Sequence, residues 1–307
     1  MTDPIMCTVS GIQHFSPCPG YGLRTMIFLV GCPLRCPWCC NPESRVNAPV
    51  LVCNAEKCIG PHRCRHCADA CPRSAVYINR NHIGIARDIC DNCGACARLC
   101  PSGALFMSGR KLSLPDIMDH ILKDKDFIAN GGGVTLSGGE PMMHPLEAGA
   151  LLRLTHAEGL HNAIETCGFF DLDAPETIAA LKETDLLFFD VKHSDSRLHR
   201  AFTGVDNSRI LSNLRRLYVE FPHLEIVSRT LVVPGFNDTV ATMRDIARIV
   251  KRNGSRFHVL EAYSPICQDK YAQLGLPFDA SPQAPLGEQM RSFIDVFQEE
   301  GVTVEVH

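Results

Sequence analysis

Two runs of cysteines within residues 58–100 constrain this chain more than any other feature of its 307 residues. The second run reads Cys90-x2-Cys93-x2-Cys96-x3-Cys100-Pro101, a spacing with which thiolates hold paired four-iron clusters. The first run, Cys58-x5-Cys64-x2-Cys67-x3-Cys71-Pro72, repeats it with a longer first gap. In the paired pattern the last cysteine of each run binds the other cluster. The predicted ligand sets are therefore Cys58, Cys64, Cys67 and Cys100, and Cys90, Cys93, Cys96 and Cys71.

The irregular first run leaves Cys53 as an alternative ligand to Cys58. Zinc ribbons are the other interpretation of such a region, but they rarely carry three cysteines at two-residue gaps followed by Cys-Pro. The two runs resemble a two-cluster ferredoxin, and we predict a ferredoxin-like insert with two [4Fe-4S] clusters over residues 50–107.

A third cysteine group, Cys32-x3-Cys36-x2-Cys39, follows a predicted buried strand. Three thiolates on one loop can bind three irons of a four-iron cluster and leave the fourth iron open, which is typical of a reacting metal centre. A zinc ion with Cys40 as fourth ligand is the alternative. The adjacent Cys39 and Cys40 cannot easily both point at one tetrahedral ion, so the cluster is favoured.

Outside the insert, short apolar runs alternate with longer amphipathic segments, as in repeated βα units around a parallel sheet. The predicted strands span residues 25–30, 134–137, 162–166, 186–191, 225–233, 257–262 and 302–306. The predicted helices span residues 114–123, 145–158, 175–182, 210–220, 239–252 and 288–299. About six βα units close most simply into a full or partial barrel, with functional groups at the carboxyl ends of the strands.

Charge and hydropathy exclude several classes of protein. The chain has 30 Lys and Arg against 34 Asp and Glu, a net charge of −4, without the basic excess that nucleic-acid binding requires. Its purest apolar run, residues 26–30, is too short to span a bilayer, and residues 1–10 lack the pattern of a signal peptide. Seventeen cysteines without an export signal indicate a reducing compartment, so we expect a cytoplasmic protein without nucleic-acid or membrane partners.

The loop Cys32-Pro-Leu-Arg-Cys36-Pro-Trp-Cys39 resembles the cluster loop of the radical S-adenosylmethionine (SAM) superfamily. The segment Ser137-Gly138-Gly139-Glu140-Pro141 is similar to the Gly-Gly-Glu-Pro motif of that superfamily. The resemblance implies that SAM binds the open iron and is cleaved to a 5′-deoxyadenosyl radical. It also implies that Gly138, Gly139 and Glu140 contact the methionine ammonium, where glycines allow close approach and a carboxylate accepts charge-assisted hydrogen bonds.

Within that superfamily the chain resembles the glycyl radical enzyme activating enzymes, over nearly its whole length. The matching segments are Asn41-Pro42-Glu43-Ser44, the glycine-rich stretch 131–141, Glu165-Thr166-Cys167-Gly168, Asp190-Val191-Lys192, residues 234–238 and Lys270-Tyr271. The resemblance implies an α/β fold: a partial (βα)6-type barrel from residues 1–49 and 108–307, with the insert at 50–107. It implies three [4Fe-4S] clusters, SAM, a glycyl radical enzyme as protein substrate, flavodoxin or ferredoxin as electron donor, and a monomer.

The same resemblance assigns roles to further residues. Trp38, Cys39 and Cys40 would line SAM, and Asp190-Val191-Lys192 would hold its ribose and carboxylate end. A monovalent cation would be bound by Glu165, Thr166, the Phe188 carbonyl and Asp190. The alternative for Asp190 and Lys192 is a plain salt bridge at the rim of the barrel, and Arg229 could bind the partner's backbone or SAM.

Two positions depart from the family pattern. Pro19 stands where an acidic residue is usual before the first strand, and Ser264 stands where a SAM-contacting histidine is usual. A serine donates a hydrogen bond but cannot stack or carry charge as imidazole does. These departures leave open a radical SAM enzyme that acts directly on a small molecule.

The remaining candidates are predicted to be background. Cys7, Cys18, Cys167 and Cys267 are expected to be small buried residues, and His193 and His199 surface or hydrogen-bonded core groups. A third functional class, a non-catalytic electron carrier, is disfavoured by the SAM motifs. The reaction of the partner enzyme is not encoded in these patterns.

Overall fold

The computed structural model describes residues 4–17, 20–60, 62–79, 82–255, 257–281 and 283–306. Cys18 and Pro19 lie outside the described residues, so the expectations for these two positions are not addressed by the fold.

The described strands are, in chain order, β1 (Met6–Ser16), β2 (Arg24–Leu29), β3 (Val50–Cys53), β4 (Val76–Asn79), β5 (His82–Ile85), β6 (Leu105–Ser108), β7 (Arg110–Ser113), β8 (Gly133–Gly138), β9 (His161–Thr166), β10 (Leu186–Asp190), β11 (Glu225–Val232), β12 (Phe257–Ala262) and β13 (Thr303–Val306). The described α-helices are α1 (His66–Asp69), α2 (Ala95–Arg98), α3 (Leu114–Ile128), α4 (Pro145–Ala157), α5 (Pro175–Lys182), α6 (Ser196–Thr203), α7 (Ser208–Glu220), α8 (Val240–Arg252), α9 (Gln268–Leu274) and α10 (Gly287–Glu299).

The main sheet has the strand order β13-β12-β11-β10-β9-β8-β2-β1-β7. Strands β2 and β8 to β13 run parallel, whereas β1 pairs antiparallel with both β2 and β7. Strands β13 and β7 form the two edges, so the sheet is open. The predicted α/β class with a mostly parallel sheet is confirmed, and all seven predicted strands are present with boundaries within one residue.

The parallel strands are buried on both faces. In β10, Leu187 and Phe189 join the large core between the sheet and the helices, while Leu186 and Phe188 join a smaller cluster with Val227 on the opposite face. Burial of both faces produces the nearly continuous apolar runs from which these strands were predicted.

Sequence reasoning missed β1, β7, α6 and α9. Strand β1 mixes polar and apolar residues, and its pairing with β2 is interrupted by two irregularities in register. Helix α9 has only seven residues, too few for a clear helical period.

Within residues 50–108 lie two small antiparallel sheets of two strands each, β3 with β6 and β4 with β5. The third cysteine of each run lies buried on a one-turn helix, Cys67 on α1 and Cys96 on α2, and the two helices pack against each other. Their core is separate from that of the main sheet and includes Leu51, Val76 and Leu105. The two cysteine runs thus share the same local structure, a one-turn helix that buries the third cysteine.

Among the described helices, none combines the length and the apolar character needed to cross a membrane.

Candidate functional site

The predicted motifs meet at the edge of the sheet where the parallel strands end. The cysteine loop with Cys32, Cys36 and Cys39 follows β2, and the Gly-Gly-Glu segment lies at the end of β8. Glu165-Thr166 ends β9, and Asp190 ends β10. Register brings them side by side, since Leu29 pairs with Gly138, Glu165 with Phe188, and Asp190 with Arg229. This edge is where a βα fold collects its functional groups.

Backbone hydrogen bonds fix the start and the turn of the cysteine loop. The amide of Gly31 donates to the Ser44 carbonyl at 2.7 Å, and the amide of Cys32 donates to the Arg45 carbonyl at 3.2 Å. The amide of Cys39 donates to the Cys36 carbonyl at 3.2 Å and closes a turn. The Asn41-Pro42-Glu43-Ser44 segment therefore serves as a structural support for the cysteine loop.

Side chains from distant parts of the chain hold the same loop. The Arg45 guanidinium donates to the Cys36 carbonyl and, at 2.7 Å, to the Tyr271 hydroxyl. Tyr271 in turn donates to the Cys39 carbonyl at 3.0 Å. The ammonium of Lys270 donates to the Cys40 carbonyl and to Glu43, both at 2.8 Å. The Lys270-Tyr271 motif thus positions the loop, a role that its sequence alone did not reveal.

Of the three cysteines of the loop, Cys36 is buried and Cys32 and Cys39 are half-buried. Burial raises the pKa of Cys36 to about 12 and also raises the pKa of Cys39. The pKa of Cys32 is lowered, chiefly because the Cys167 thiol donates a hydrogen bond to its sulfur. Thiolates at Cys36 and Cys39 therefore need a strong positive partner, which the irons of a cluster supply.

No three His, Cys, Asp or Glu side chains of the described residues are arranged to share one metal ion. A four-iron cluster makes a different demand, because each thiolate binds its own iron. A soft, all-sulfur donor set of three thiols on one loop, one buried and two half-buried, fits that chemistry.

The two glycines after β8 are required by close approach to a neighbouring strand. A Cβ on Gly138, whose φ is +111°, would lie 2.2 Å from the Leu29 carbonyl oxygen. A Cβ on Gly139 would lie 2.1 Å from the Gly31 carbonyl oxygen. The glycines are thus needed for close approach to the backbone that leads into the cysteine loop. Their predicted contact with the methionine ammonium stays a prediction.

Glu140 is fully buried and organises three segments of the site. Its carboxylate accepts hydrogen bonds from the Met142 amide at 3.0 Å, the Thr166 hydroxyl at 2.8 Å and the Cys167 amide at 2.7 Å. Burial raises its pKa, and these three donors oppose that rise. Glu140 thus links the Gly-Gly-Glu segment to the Glu165-Thr166-Cys167 motif; its predicted contact with SAM stays a prediction.

A partly buried ion network joins the ends of β9 to β12. Asp190 bonds Lys192 at 2.7 Å and Arg229 at 2.5 Å, and Arg229 also pairs with Glu165 and, at 3.6 Å, with Glu261. Burial alone would raise the pKa of Asp190, but Arg229 and Lys192 lower it to about 2. The expected Asp190–Lys192 salt bridge is present, as part of this larger network.

The network reaches the cysteine loop through Lys192. Burial would lower its pKa, but Asp190 and then Cys36 hold the pKa well above its ordinary value, so Lys192 is a permanent cation beside the thiols. Arg229 is the residue that sequence reasoning weighted too lightly. Its position on β11, next to Asp190 in register, was the available signal. A cavity of about 300 Å³ lies on the face of the sheet that carries Phe188 and Val227, and it reaches Arg229 and Glu261.

The other predicted SAM-lining residues differ in their surroundings. Trp38 is buried, with its ring 4.5 Å from that of Phe236 between centroids. Cys40 is exposed and its thiol is hydrogen-bonded to that of Cys267, and Ser264 is exposed at the start of a 3-10 turn. The structure therefore brings Trp38 and Cys39 into the site interior and leaves Cys40 and Ser264 at its rim.

The residues expected to be background follow the prediction in part. Cys7 is buried, and so are the rings of His193 and His199. His199 has a hydrogen-bond partner, whereas His193 accepts at Nδ1 from the Asp195 amide but has a buried Nε2 without a partner among the described residues. Cys167 is also buried, but its contacts with Cys32 and Glu140 place it in the site. Cys267 is only half-buried, because it lies against Cys40 at the rim.

In the insert, the structure gathers the cysteines into two groups. A small cavity is lined by Cys71, Cys90, Cys93 and Cys96, the second predicted ligand set. In the other group, Cys53, Cys58, Cys67 and Cys100 are close enough for electrostatic interaction, and Cys64 lies near Cys67. The last cysteine of each run thus lies with the first three of the other run, and Cys53 lies beside Cys58.

Comparison with known proteins agrees with this geometry. Residues 26–249 match the model of the radical SAM superfamily. An isethionate sulfite-lyase activating enzyme of Desulfovibrio desulfuricans is 39% identical over 283 residues, 91% of this chain and 88% of the relative. A (2S)-3-sulfopropanediol sulfolyase activating enzyme of Bilophila wadsworthia is 39% identical over 272 residues, 88% of this chain and 89% of the relative.

Among solved structures, the crystal structure of Streptococcus suis SuiB bound to precursor peptide SuiA matches with a TM-score of 0.53. It is 13% identical and covers 90% of this chain and 46% of that chain, so the likeness concerns the fold alone. The family match and the two relatives carry the assignment. The chain therefore belongs to the radical SAM superfamily and, within it, to the glycyl radical enzyme activating enzymes.

Proposed function

We propose that this protein generates a glycyl radical on a partner enzyme by reductive cleavage of SAM at the cysteine loop. The observation that supports this most directly is the meeting of four motifs at one edge of the sheet: the cysteine loop, Gly138-Gly139-Glu140, Glu165-Thr166-Cys167 and Asp190-Val191-Lys192. A [4Fe-4S] cluster held by Cys32, Cys36 and Cys39 would supply the electron and an open iron for SAM.

The chain's own residues would orient SAM through charge and shape. Lys192, a partly buried cation beside Cys36, suits a carboxylate, and Asp190 suits a ribose hydroxyl or an ammonium. Trp38 and its aromatic neighbour Phe236 keep water from the interior of the site. Glu140 would keep the Gly138-Gly139 backbone in place for the methionine end, with Cys40 and Ser264 at the rim.

The proposed monovalent-cation ligands are Glu165, Thr166, the Phe188 carbonyl and Asp190. Arg229 already provides a positive charge between the two carboxylates. A bound cation would therefore share these oxygens with the guanidinium, and we propose a weak rather than an obligatory site.

We propose two further [4Fe-4S] clusters in a ferredoxin-like insert at residues 50–107, between barrel segments 1–49 and 108–307. The grouping of Cys71 with Cys90, Cys93 and Cys96, and of Cys100 with Cys58, Cys64 and Cys67, supports the crossed ligand sets. Cys53 is the alternative to Cys58. One chain carries every element of the site, so we propose a monomer as the active unit.

For the partner, we propose a glycyl radical enzyme that cleaves a carbon–sulfur bond. This rests on similarity: the two relatives above are named as activators of an isethionate sulfite-lyase and of a (2S)-3-sulfopropanediol sulfolyase. A relative from Tractidigestivibacter scatoligenes named as an indoleacetate decarboxylase activating enzyme is 34% identical, so a decarboxylase is the appropriate comparison.

The test is anaerobic activation of both kinds of partner. The reconstituted protein, SAM and a reductant are mixed with an isethionate sulfite-lyase or with an indoleacetate decarboxylase, and the glycyl doublet is measured by electron paramagnetic resonance. We expect a doublet with the lyase and at least tenfold less with the decarboxylase. SAM cleavage without a doublet on either partner would favour a small-molecule substrate instead.

A further inference from the structure

Positive charge is concentrated in the insert. Residues 50–107 carry seven Lys and Arg against four Asp and Glu, a net charge of +3. The rest of the chain then has 23 Lys and Arg against 30 Asp and Glu, a net charge of −7, and the two values sum to the −4 of the whole chain. An acidic protein thus carries one basic region, and that region holds the predicted cluster ligands.

The basic side chains around the first cysteine run are exposed and, although Glu56 and Asp69 lie in the same segment, form no ion pairs within the described residues. Lys57, Arg63 and Arg65 are exposed, and within the described residues no carboxylate lies in ion-pair distance of any of them. They flank Cys58 and Cys64, on a segment turned by hydrogen bonds from the Arg63 and Cys64 amides to the Gly60 carbonyl. We name Lys57, Ile59, Arg63 and Arg65 the basic face.

The basic face also offers an apolar contact. Ile59, between Lys57 and Arg63 in sequence, is 48% exposed. Unpaired cations beside an exposed aliphatic side chain suit a transient, electrostatically steered protein contact. The partner that fits is acidic.

Hydrogen bonds connect the insert to α9, the helix that also contacts the cysteine loop. Arg87 donates to the Leu51 carbonyl at 2.6 Å and to the Gln273 carbonyl of α9 at 2.9 Å. The same helix supplies Tyr271, which bonds the Cys39 carbonyl. Arg87 is also within electrostatic range of Cys53 and Cys90, one cysteine from each group. Arg87 and α9 therefore connect the surroundings of both cysteine groups to the loop that would hold the SAM cluster.

We infer that the basic face is the docking surface for a small acidic one-electron carrier protein, which delivers its electron to the insert. The donor loses one electron and an insert cluster gains it, and the path through α9 then leads toward the cysteine loop. The inference rests on the proposed function, because it presupposes clusters in the insert. It assigns the insert to the electron donor rather than to the protein substrate.

The test compares the reduction of two charge-reversed variants of the reconstituted holoenzyme. One variant carries Lys57→Glu, Arg63→Glu and Arg65→Glu. The matched control carries Lys123→Glu, Arg215→Glu and Arg252→Glu, three exposed cations of the barrel helices that lack ion pairs within the described ranges. Both variants change the net charge equally, so a general charge effect would appear in both.

The measurement is stopped-flow reduction of the iron–sulfur absorbance by an acidic flavodoxin hydroquinone, at low and at high salt, with dithionite as a donor that needs no docking. We expect the basic-face variant to be reduced by flavodoxin at least tenfold more slowly at low salt, because steering of this kind changes association rates by about 10- to 1,000-fold. Its rate should also lose its dependence on salt. Reduction by dithionite and the behaviour of the control should match the wild type.

Equal rates of reduction by flavodoxin in the wild type and in the basic-face variant would overturn the inference. So would an equal loss in the control, or a basic-face variant that keeps flavodoxin reduction but no longer binds the lyase partner. Failure of the proposed function looks different: dithionite-reduced wild type would then yield no glycyl doublet while the docking of flavodoxin persists.

Discussion

The proposed barrel and the proposed insert hold their cysteines in different ways. The barrel loop has three thiols and is held by residues remote in sequence, including Arg45 and Tyr271. The insert draws all its cysteines from about 50 residues and has only a small core of its own. The first arrangement places a loop on a framework with a large core of its own, whereas we expect the second to depend on its proposed clusters to complete its fold.

The largest expected difference between the two regions lies in catalysis. Replacement of Cys36 by Ala removes one of three thiols from the barrel loop, and we expect SAM cleavage to fall by more than about 1,000-fold because the open-iron cluster is lost. Replacement of Cys93 by Ala removes a ligand from the insert, and we expect dithionite-driven SAM cleavage to stay within several-fold of the wild type. The measurement is anaerobic quantification of 5′-deoxyadenosine.

Iron analysis of the same proteins checks the assignment. We expect about twelve irons per wild-type chain and about eight in each variant. The comparison fails if Cys93→Ala abolishes dithionite-driven cleavage as completely as Cys36→Ala, or if the wild type binds only about four irons.

Iron removal should separate the stabilities of the two regions. After chelation under anaerobic conditions, we expect amide exchange in β3 and β6 to accelerate by about 100-fold, because a region of this size is marginal without its metal. Protection in β8 to β10 should stay, since their core includes Val134, Ile164 and Phe189, all fully buried. Hydrogen exchange with mass spectrometry measures both. Equal loss of protection in the two regions would contradict the difference proposed.

The barrel and the insert should also differ in acid. Burial lowers the pKa of His258 to about 3, whereas His62 and His66 of the insert are exposed. An unfolded histidine titrates near pH 6.5, so below that value the unfolded chain binds a proton that folded His258 does not. Stability is therefore lost as the pH falls, and His258 accounts for about 2 kcal/mol of that loss between pH 7.5 and 5.

The variant His258→Gln should make this pH dependence less steep by the binding of about one proton. Urea unfolding followed by the fluorescence of Trp38, the single tryptophan, reports on the barrel alone. The buried His193 and His199, whose pKa values are also lowered by burial, keep part of the slope in this variant. An unchanged slope in His258→Gln would contradict the assignment.

The framework was predictable because its strands are buried on both faces and so read as apolar runs. The site was predictable where chemistry needs a fixed spacing, as in the three cysteine groups, or a special backbone, as at Gly138. Those signals are local in sequence, and the register of a parallel sheet then brings them together.

The supporting contacts were not predictable in the same way. Arg45 and Tyr271 are 226 residues apart and meet at the cysteine loop, and Arg229 joins carboxylates from two neighbouring strands. No period or spacing encodes such pairings, since any exposed arginine or tyrosine would look the same. Strand β1 was missed for a related reason: its residues alternate too weakly to indicate a buried face.

The smallest expected effect tests how the barrel holds its loop. Tyr271→Phe removes the hydroxyl that donates to the Cys39 carbonyl and accepts from Arg45. The ring stays buried in its place, so we expect a loss of about 1 kcal/mol in the free energy of unfolding, the usual net contribution of a hydrogen bond. We also expect the rate of SAM cleavage to fall a few-fold. The electron paramagnetic resonance signal of the reduced SAM-bound cluster should broaden, because the backbone of Cys39 loses one of its hydrogen bonds. The matched control is Tyr77→Phe, which changes an exposed tyrosine on β4. If both variants keep wild-type stability and spectra, remote contacts do not hold the loop, and the barrel site depends on its metal as the insert does.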